Sequence, residues 1–190
     1  PWNRIRLQEQ EFFANRDPQI ANAPNKAARE RLIKELQKRN PTLWREYMQA
    51  MHDADALSKF LRKSSRFPLT ARGDINTYAV FCELFTQLIN PKGRVGVVVP
   101  TGIATDDTNK QFFAQLMKSK RLVSLYDFEN RERLFPAVDS RYKFCLLTIS
   151  GKPVQQSEFA FFLTRTNQLH DEVRRFTLTS EDLTLLNPNT

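Results

Sequence analysis

Residues 93–149 restrict most strongly the folds open to this chain. Residues 95–99 read Val-Gly-Val-Val-Val. A run of β-branched residues with no polar alternation is typical of a strand covered on both faces. A helix over 106–118 and a strand over 122–128 are predicted next, and a strand over 142–149 closes a hairpin with Phe135-Pro136 in its turn. This alternation predicts an α/β fold with a mixed, doubly wound sheet, of which about half is present.

The remaining patterns predict helices before this sheet and strands after it. Asn25 is expected to cap a helix to residue 39, and 42–63 continues as a second helix, so 17–66 should be a helical insertion. Residues 3–24 look irregular, with Asp17-Pro18 and Ala23-Pro24 as breakers. A further amphipathic helix is expected to begin at Asp74, with these residues on its buried side: Tyr78, Phe81, Cys82, Phe85, Leu88 and Ile89. A strand is predicted over 159–163, and a linker over 166–190.

The positive charge is concentrated in the first third of the chain. Residues 1–66 carry 14 Lys/Arg against 8 Asp/Glu, whereas 67–190 carry 15 against 13. Such asymmetry is compatible with a surface that faces a polyanion, and equally with a solvated helix surface. If the helical insertion binds phosphates, the side chains that could contact them are Lys34, Lys38, Arg39, Lys59, Arg62, Lys63 and Arg66. We slightly favour the other interpretation, a solvated insertion that varies within the family.

Cysteine and histidine are too few for most metal or triad chemistry. Cys82 and Cys145 lie in apolar segments and are expected to be reduced core residues, and only two histidines are present. No metal site is expected. We also expect a cytoplasmic protein without a membrane segment, because no apolar run approaches about 20 residues and no signal peptide is recognisable. The chain starts on Pro1-Trp2 without Met, and we expect it to be a segment of a longer protein.

Four motifs occur in an order that resembles adenine-specific DNA methyltransferases, most of all the large type II restriction–modification enzymes. They are Pro1-Trp2, the helix motif at 76–81, the Asn-Pro-Lys-Gly turn and strand at 90–100, and Leu134-Phe135-Pro136. The family's catalytic motif is Asn/Asp-Pro-Pro followed by Tyr, Phe or Trp, and Pro1-Trp2 corresponds to its last two residues. The resemblance covers 1–16 and 67–150, which places the end of the catalytic motif in 1–16 and the C-terminal half of the methyltransferase domain in 67–165.

The resemblance implies a methyl transfer from S-adenosylmethionine to the exocyclic amine of an adenine rotated out of double-stranded DNA. In the family, the catalytic side chain and a proline-constrained carbonyl hold the amine, and the aromatic residue stacks on the base. Trp2 corresponds to that stacking residue and Phe135 to a second base-contacting position. Pro100 and Thr101 follow the strand at the edge where such sheets bind ligands. Arg141 and Lys143 flank the hairpin and are candidates for contacts with the DNA backbone.

Two parts of the family pattern are not found. The Asn/Asp-Pro of the catalytic motif would precede residue 1, and none of the five glycines belongs to a glycine-rich cofactor loop. We therefore expect the cofactor to be bound mainly by an N-terminal half of the domain outside this chain. The chain alone should be inactive, and one edge of 95–99 should lack a partner. A fused nuclease and a target-recognition region are plausible in the parent protein.

Other functions remain open from the residues alone. The same fold could methylate RNA or a glutamine side chain in a protein, and the helical insertion could make the chain a non-catalytic partner-binding module. Asp127 and Glu129 could be nuclease carboxylates, but no third acid or basic partner lies at a persuasive spacing.

Overall fold

A computed structural model describes residues 2–179, 181, 182 and 185. The chain divides into two units, one formed by 3–66 and the other by 1–2 together with 67–190. The first unit is helical, with α1 Glu9–Ala14, α2 Pro18–Ala21, α3 Lys26–Arg39 and α4 Pro41–Lys63. Among the described residues, none of the helices combines the length and apolar character needed to cross a membrane.

The helical unit confirms the two predicted long helices and corrects the interpretation of 3–24. Asn25 caps α3 and Asn40 caps α4, each through a side-chain oxygen that accepts a backbone N–H. The supposedly irregular segment contains α1 and α2, and Phe13 and Ile20 are fully buried against α3 and α4. Asp17-Pro18 does not break the chain: Asp17 is the N-cap of α2, and Pro18 is its first helical residue.

The second unit has α-helices and a five-stranded sheet in the part of the chain that the structure describes. The helices are α5 Thr77–Leu88, α6 Gly102–Thr105 and α7 Lys110–Lys118, and the strands are β1 Arg94–Pro100, β2 Leu122–Glu129, β3 Lys143–Ser150, β4 Ser157–Leu163 and β5 Phe176–Leu178. Short 3₁₀ segments lie at Asp107–Asn109, Asn130–Glu132, Thr166–His170 and Glu172–Arg174. The α/β class and the mixed sheet are thus confirmed.

The strand order is β1-β3-β2-β4-β5. β3 is antiparallel to both β1 and β2, and β4 is parallel to β2. Consequently β1, β2 and β4 all end at one edge of the sheet, where β3 begins. We call this the C-terminal edge, and it carries every predicted site residue of this unit that the structure describes.

β1 is an outer strand, as predicted, but it is not covered on both faces by the described residues. Val99 is buried, whereas Val98 is 42% exposed and a Cβ added to Gly96 would meet nothing within 4 Å. The reason is that α5, α6 and α7 contribute to a core that includes Val99 and Leu147 and therefore cover one face. Val98 and Gly96 point to the other face.

The helix expected from Asp74 begins later and buries only part of the predicted side, including Tyr78 and Cys82. Asn76 is its N-cap and accepts the Tyr78 N–H. Phe81 and Leu88, predicted to be buried, are 43% and 67% exposed. The buried positions are Tyr78, Ala79, Val80, Cys82 and Glu83. Composition alone could not reveal this, because Glu83 occupies the core-facing side.

Glu83 can be buried because its carboxylate accepts hydrogen bonds from polar groups of the preceding loop. One carboxylate oxygen accepts the Thr70 backbone N–H at 2.9 Å and its hydroxyl at 2.6 Å, and the other accepts the Leu69 N–H at 3.2 Å. A carboxylate with three donors can be buried because each donor offsets part of its lost hydration.

We expect Glu83→Ala to lower the free energy of unfolding by about 2–3 kcal/mol, because buried donors on Leu69 and Thr70 lose their acceptor. Chemical denaturation with circular dichroism would measure it. Glu172→Ala, at an exposed position, is the matched control and should change little. Equal effects of the two substitutions would contradict the role assigned to Glu83.

Cys82 and Cys145 are free and buried, which confirms the prediction of core thiols. Burial raises the pKa of each thiol to about 12. An unfolded thiol ionises near pH 8.5. The folded pKa lies above the unfolded one, so the stabilisation is fully present below that pH and is lost as the pH rises toward the folded pKa.

Both thiols should therefore resist alkylation in the native protein at mildly alkaline pH and react after denaturation. Melting temperatures should fall as the pH is raised above the unfolded thiol pKa, and Cys82→Ala should flatten that fall. Labelling of the native and the denatured protein at equal rates would show that the thiols are accessible.

Candidate active site at the C-terminal edge of the sheet

Trp2 is held against the outer edge of β1. Its indole Nε1–H donates to the Val98 carbonyl at 2.8 Å, and its ring lies 5.9 Å from the Phe81 ring at an interplanar angle of 52°. Trp2 is half-buried and contacts the core that includes Val99. The hydrogen bond gives the indole a defined position near the end of β1. Pro1 lies outside the described residues.

Phe135 is presented by the loop between β2 and β3. Its ring is 43% exposed and meets the Phe144 ring edge-on, with centroids 4.9 Å apart; Phe144 in turn stacks on Phe128 at 5.2 Å. Phe144 pairs with Pro100 across the β1–β3 ladder. The register therefore places Phe144, which supports Phe135, beside the last residue of β1. Phe144 packs with Phe128 on the face of the sheet opposite to the core that Trp2 contacts.

Asn130 organises this loop and was missed by sequence reasoning. It is fully buried. Its Oδ1 accepts the Phe135 N–H at 2.9 Å, and its Nδ2 donates to the carbonyls of Phe135 at 3.0 Å and Val138 at 2.9 Å. The loop has no regular secondary structure here, and one amide side chain supplies hydrogen bonds to its backbone instead. The available signal was an Asn directly after a predicted strand and a few residues before Phe-Pro.

The two site-lining candidates differ in accessibility. Pro100 is half-buried, and Thr101 is buried. The Thr101 hydroxyl donates to Asp127 Oδ1 at 2.6 Å, and Asp127 Oδ2 accepts the Phe162 N–H at 3.4 Å. The Thr101–Asp127 pair therefore joins the ends of β1, β2 and β4. Its polar groups bind one another, so we interpret it as support beneath the site.

The backbone-contact candidates lie in a cation-rich cavity. A cavity of about 330 Å³ is lined by Glu129, Arg131, Ser140, Arg141 and Lys143. The Lys143 ammonium lies 3.0 Å from Glu129, and Arg131 also pairs with Glu129. The hydrogen bond from Lys143, together with the charge of Arg131, holds the pKa of the Glu129 carboxyl below its usual value. Two cations, Arg131 and Lys143, therefore share the Glu129 carboxylate, and Arg131 is a cation that sequence reasoning did not single out.

Arg141 is engaged more fully than expected. Its Nε and Nη2 donate to the two Asp139 oxygens at 3.0 and 2.8 Å, and this hydrogen bonding lowers the pKa of the Asp139 carboxyl. A phosphate at Arg141 would have to compete with Asp139 for the guanidinium. Lys143 and Arg131 instead share one carboxylate, that of Glu129. Within the described part of the chain, no cluster of three or more metal-binding side chains occurs.

The helical unit has a cavity of mixed charge. Its volume is about 460 Å³, and three basic and four acidic side chains are among its lining: Arg6, Lys26, Arg29, Glu9, Glu11, Glu30 and Asp55. Burial and the nearby Glu9 carboxylate raise the pKa of Tyr47, also in the lining, to about 12. Of the phosphate candidates in this unit, Arg39 pairs with Asp17 and Gln19.

Comparisons with known proteins support the resemblance seen in the sequence. Residues 47–135 match the family of the Eco57I restriction-modification methylase. This match confirms the predicted likeness to methylases of restriction–modification systems; it does not define the base that is methylated. It includes α5, β1, β2 and Phe135, and ends before Arg141 and Lys143.

One solved structure is similar over part of the chain. It is described as the type IIG restriction endonuclease BpuSI, with 22% identity and a TM-score of 0.48; the match covers 67% of this chain and 17% of that protein. The matched part of this chain thus spans about one sixth of that protein's length. No curated protein matches the sequence.

We expect Asn130→Ala to release the loop that carries Phe135, because the backbone groups that its side chain binds lose their partner. The free energy of unfolding should fall by about 2–3 kcal/mol, and amide exchange should accelerate over 133–139. Asn130→Asp retains the acceptor for Phe135 N–H but cannot donate to the two carbonyls, so it should be destabilising as well. Asn167→Ala, on a 3₁₀ segment, is the control; normal exchange in Asn130→Ala would contradict the assignment.

Proposed function

We propose that this chain forms the base-binding part of a DNA adenine methyltransferase of a restriction–modification system. The reaction is methyl transfer from S-adenosylmethionine to the exocyclic amine of an adenine rotated out of the duplex. The observation that carries the proposal is the placement of Trp2 and Phe135 near the end of β1, in a chain that matches a restriction–modification methylase family.

Each aromatic residue has a distinct part in holding the base. An adenine outside the duplex loses its stacking neighbours, and aromatic rings replace that contact. The hydrogen bond to the Val98 carbonyl and the contact with the Phe81 ring orient the Trp2 ring. The Phe135 ring is supported by its edge-on contact with the Phe144 ring. Because both rings are held before the base arrives, little ordering is required on binding.

The cations at the same edge suit the phosphates next to the target base. Lys143 and Arg131 share Glu129, so each retains capacity for a phosphate oxygen. Such contacts position the strand without reading its sequence. The DNA target is therefore assigned to other parts of the parent protein.

S-adenosylmethionine supplies the methyl group, but the described residues do not fit as its cradle. The buried Thr101–Asp127 pair uses its polar groups internally, and the sequence has no glycine-rich loop. We therefore place cofactor binding mainly in the N-terminal half of the domain in the parent protein. By the same reasoning, this chain alone does not methylate.

The test is methyl incorporation into duplex DNA by the parent protein with its native upstream sequence. Trp2→Ala should lower kcat/KM by about ten- to a hundredfold, since one aromatic contact with a base is worth about 1–3 kcal/mol. Trp2→Phe, which keeps a ring but loses the bond to Val98, should retain more activity than Trp2→Ala.

Parallel assays separate the alternatives. RNA and protein substrates distinguish the related methyltransferases, and mass spectrometry of digested DNA identifies the methylated base. Incorporation into RNA or protein, but not DNA, would replace the proposed substrate. Unchanged DNA methylation in Trp2→Ala would refute the role of Trp2, and no incorporation into any substrate would favour a non-catalytic module.

A further inference from the structure

Phe162 on β4 combines an unusual backbone with an exposed ring. Its φ is +58°, and 67% of the residue is exposed. A bulky residue in the left-handed region is strained because its Cβ crowds the neighbouring carbonyl. Such strain persists only where the surroundings enforce it, and it clusters at ligand sites. Burial of the ring does not explain this conformation, since most of the ring faces solvent.

A β-bulge produces this conformation. Tyr126 pairs with Ala160, and Phe128 pairs with Leu163, so three steps along β4 oppose two along β2. The extra residue changes the direction of the side chain at the bulge, and the next residue, Leu163, is fully buried. Bulges are frequent beside active sites, where they redirect a side chain. Here the bulge releases Phe162 at the C-terminal edge.

The bulge is tied to the support beneath the candidate site. The Phe162 N–H donates to Asp127 Oδ2, and the other oxygen of Asp127 accepts the Thr101 hydroxyl. Asp127 is buried, which gives the strained residue a fixed anchor. The same carboxylate therefore connects the end of β1 with the backbone that presents Phe162.

A cation accompanies the exposed ring. Lys143 Nζ lies 5.1 Å from the centroid of the Phe162 ring and 3.0 Å from Glu129. An exposed aromatic ring beside an ammonium group is the pairing with which proteins bind unpaired nucleic acid, where the ring stacks on a base and the cation neutralises phosphate. Arg131 adds a second cation to the same cavity.

We infer that Phe162 and Lys143 form a second DNA contact, in which the Phe162 ring stacks on an unpaired nucleobase and Lys143 meets the adjoining phosphate. In this inference Phe162 takes a base other than the rotated adenine that Trp2 and Phe135 hold, and Lys143 serves both contacts. The inference rests on the proposed function, because rotation of the target base out of the duplex leaves its former partner unpaired. The strained backbone keeps the ring exposed before DNA binds.

The test is fluorescence anisotropy of the full chain with two labelled DNA duplexes, one containing a single unpaired thymine, the base that a rotated adenine leaves behind, and one fully paired. Phe162→Ala should weaken binding to the first duplex by about tenfold, the lower range for one stacked base, and affect the second less. Leu88→Ala, also 67% exposed, should bind both like the wild type. Lys143→Gln should reduce the salt slope by about one.

Phe162→Gly separates binding from folding. Glycine adopts a positive φ without strain, so this variant should melt at a higher temperature than Phe162→Ala while binding as weakly. Wild-type affinity in Phe162→Ala would overturn the inference and leave the proposed function standing. Recovery of affinity in Phe162→Gly together with its melting temperature would also overturn it, because the ring would then serve folding. A folded wild-type chain that binds neither duplex would count against the proposed function itself.

Discussion

The antiparallel pairing of β3 with both β1 and β2 is the constraint on which the candidate site depends. Because side chains alternate between the faces of a strand, a slip of one residue would invert every side chain of β3. In the observed register, Phe144 lies opposite Pro100 on one side and Phe128 on the other, and Lys143 lies opposite Glu129. The aromatic support for Phe135 and the ion pair at the cavity both follow from it.

Buried polar side chains stabilise the loops and strand ends that lie outside the hydrogen-bonded pairs of the sheet. Asn130 binds the loop after β2, Asp127 joins three strand ends, and Glu83 closes the loop before α5. Each such group would be costly to bury without partners, and each is paired here. Gly151, directly after β3, shows a similar constraint on space: a Cβ there would lie 1.9 Å from the carbonyl oxygen of Asn90, so the close approach of the turn before β1 requires glycine at position 151. The turn and the hairpin are therefore fixed together.

Much of the scaffold could be predicted because local signals are strong. The two long helices carry Asn caps and amphipathic stripes, and the strands of the hairpin have apolar runs bounded by turn residues. Predictions were wrong where a local signal had two meanings. Asp17-Pro18 serves as a helix start as readily as a break, and the apolar run of β1 does not distinguish a strand covered on both faces from an outer strand with Val98 exposed.

By itself, the sequence determined the α/β class, the two long helices α3 and α4, the order of motifs and the resemblance to restriction–modification methylases, because these depend on residue types and their spacing. Only the tertiary structure decided which residues meet. Trp2 and Val98 are separated by 96 positions and Thr101 and Asp127 by 26, yet each pair is joined by a hydrogen bond. Sheet order and register create such contacts, and the bulge that exposes Phe162 arises from a mismatch between β2 and β4 that neither strand shows alone.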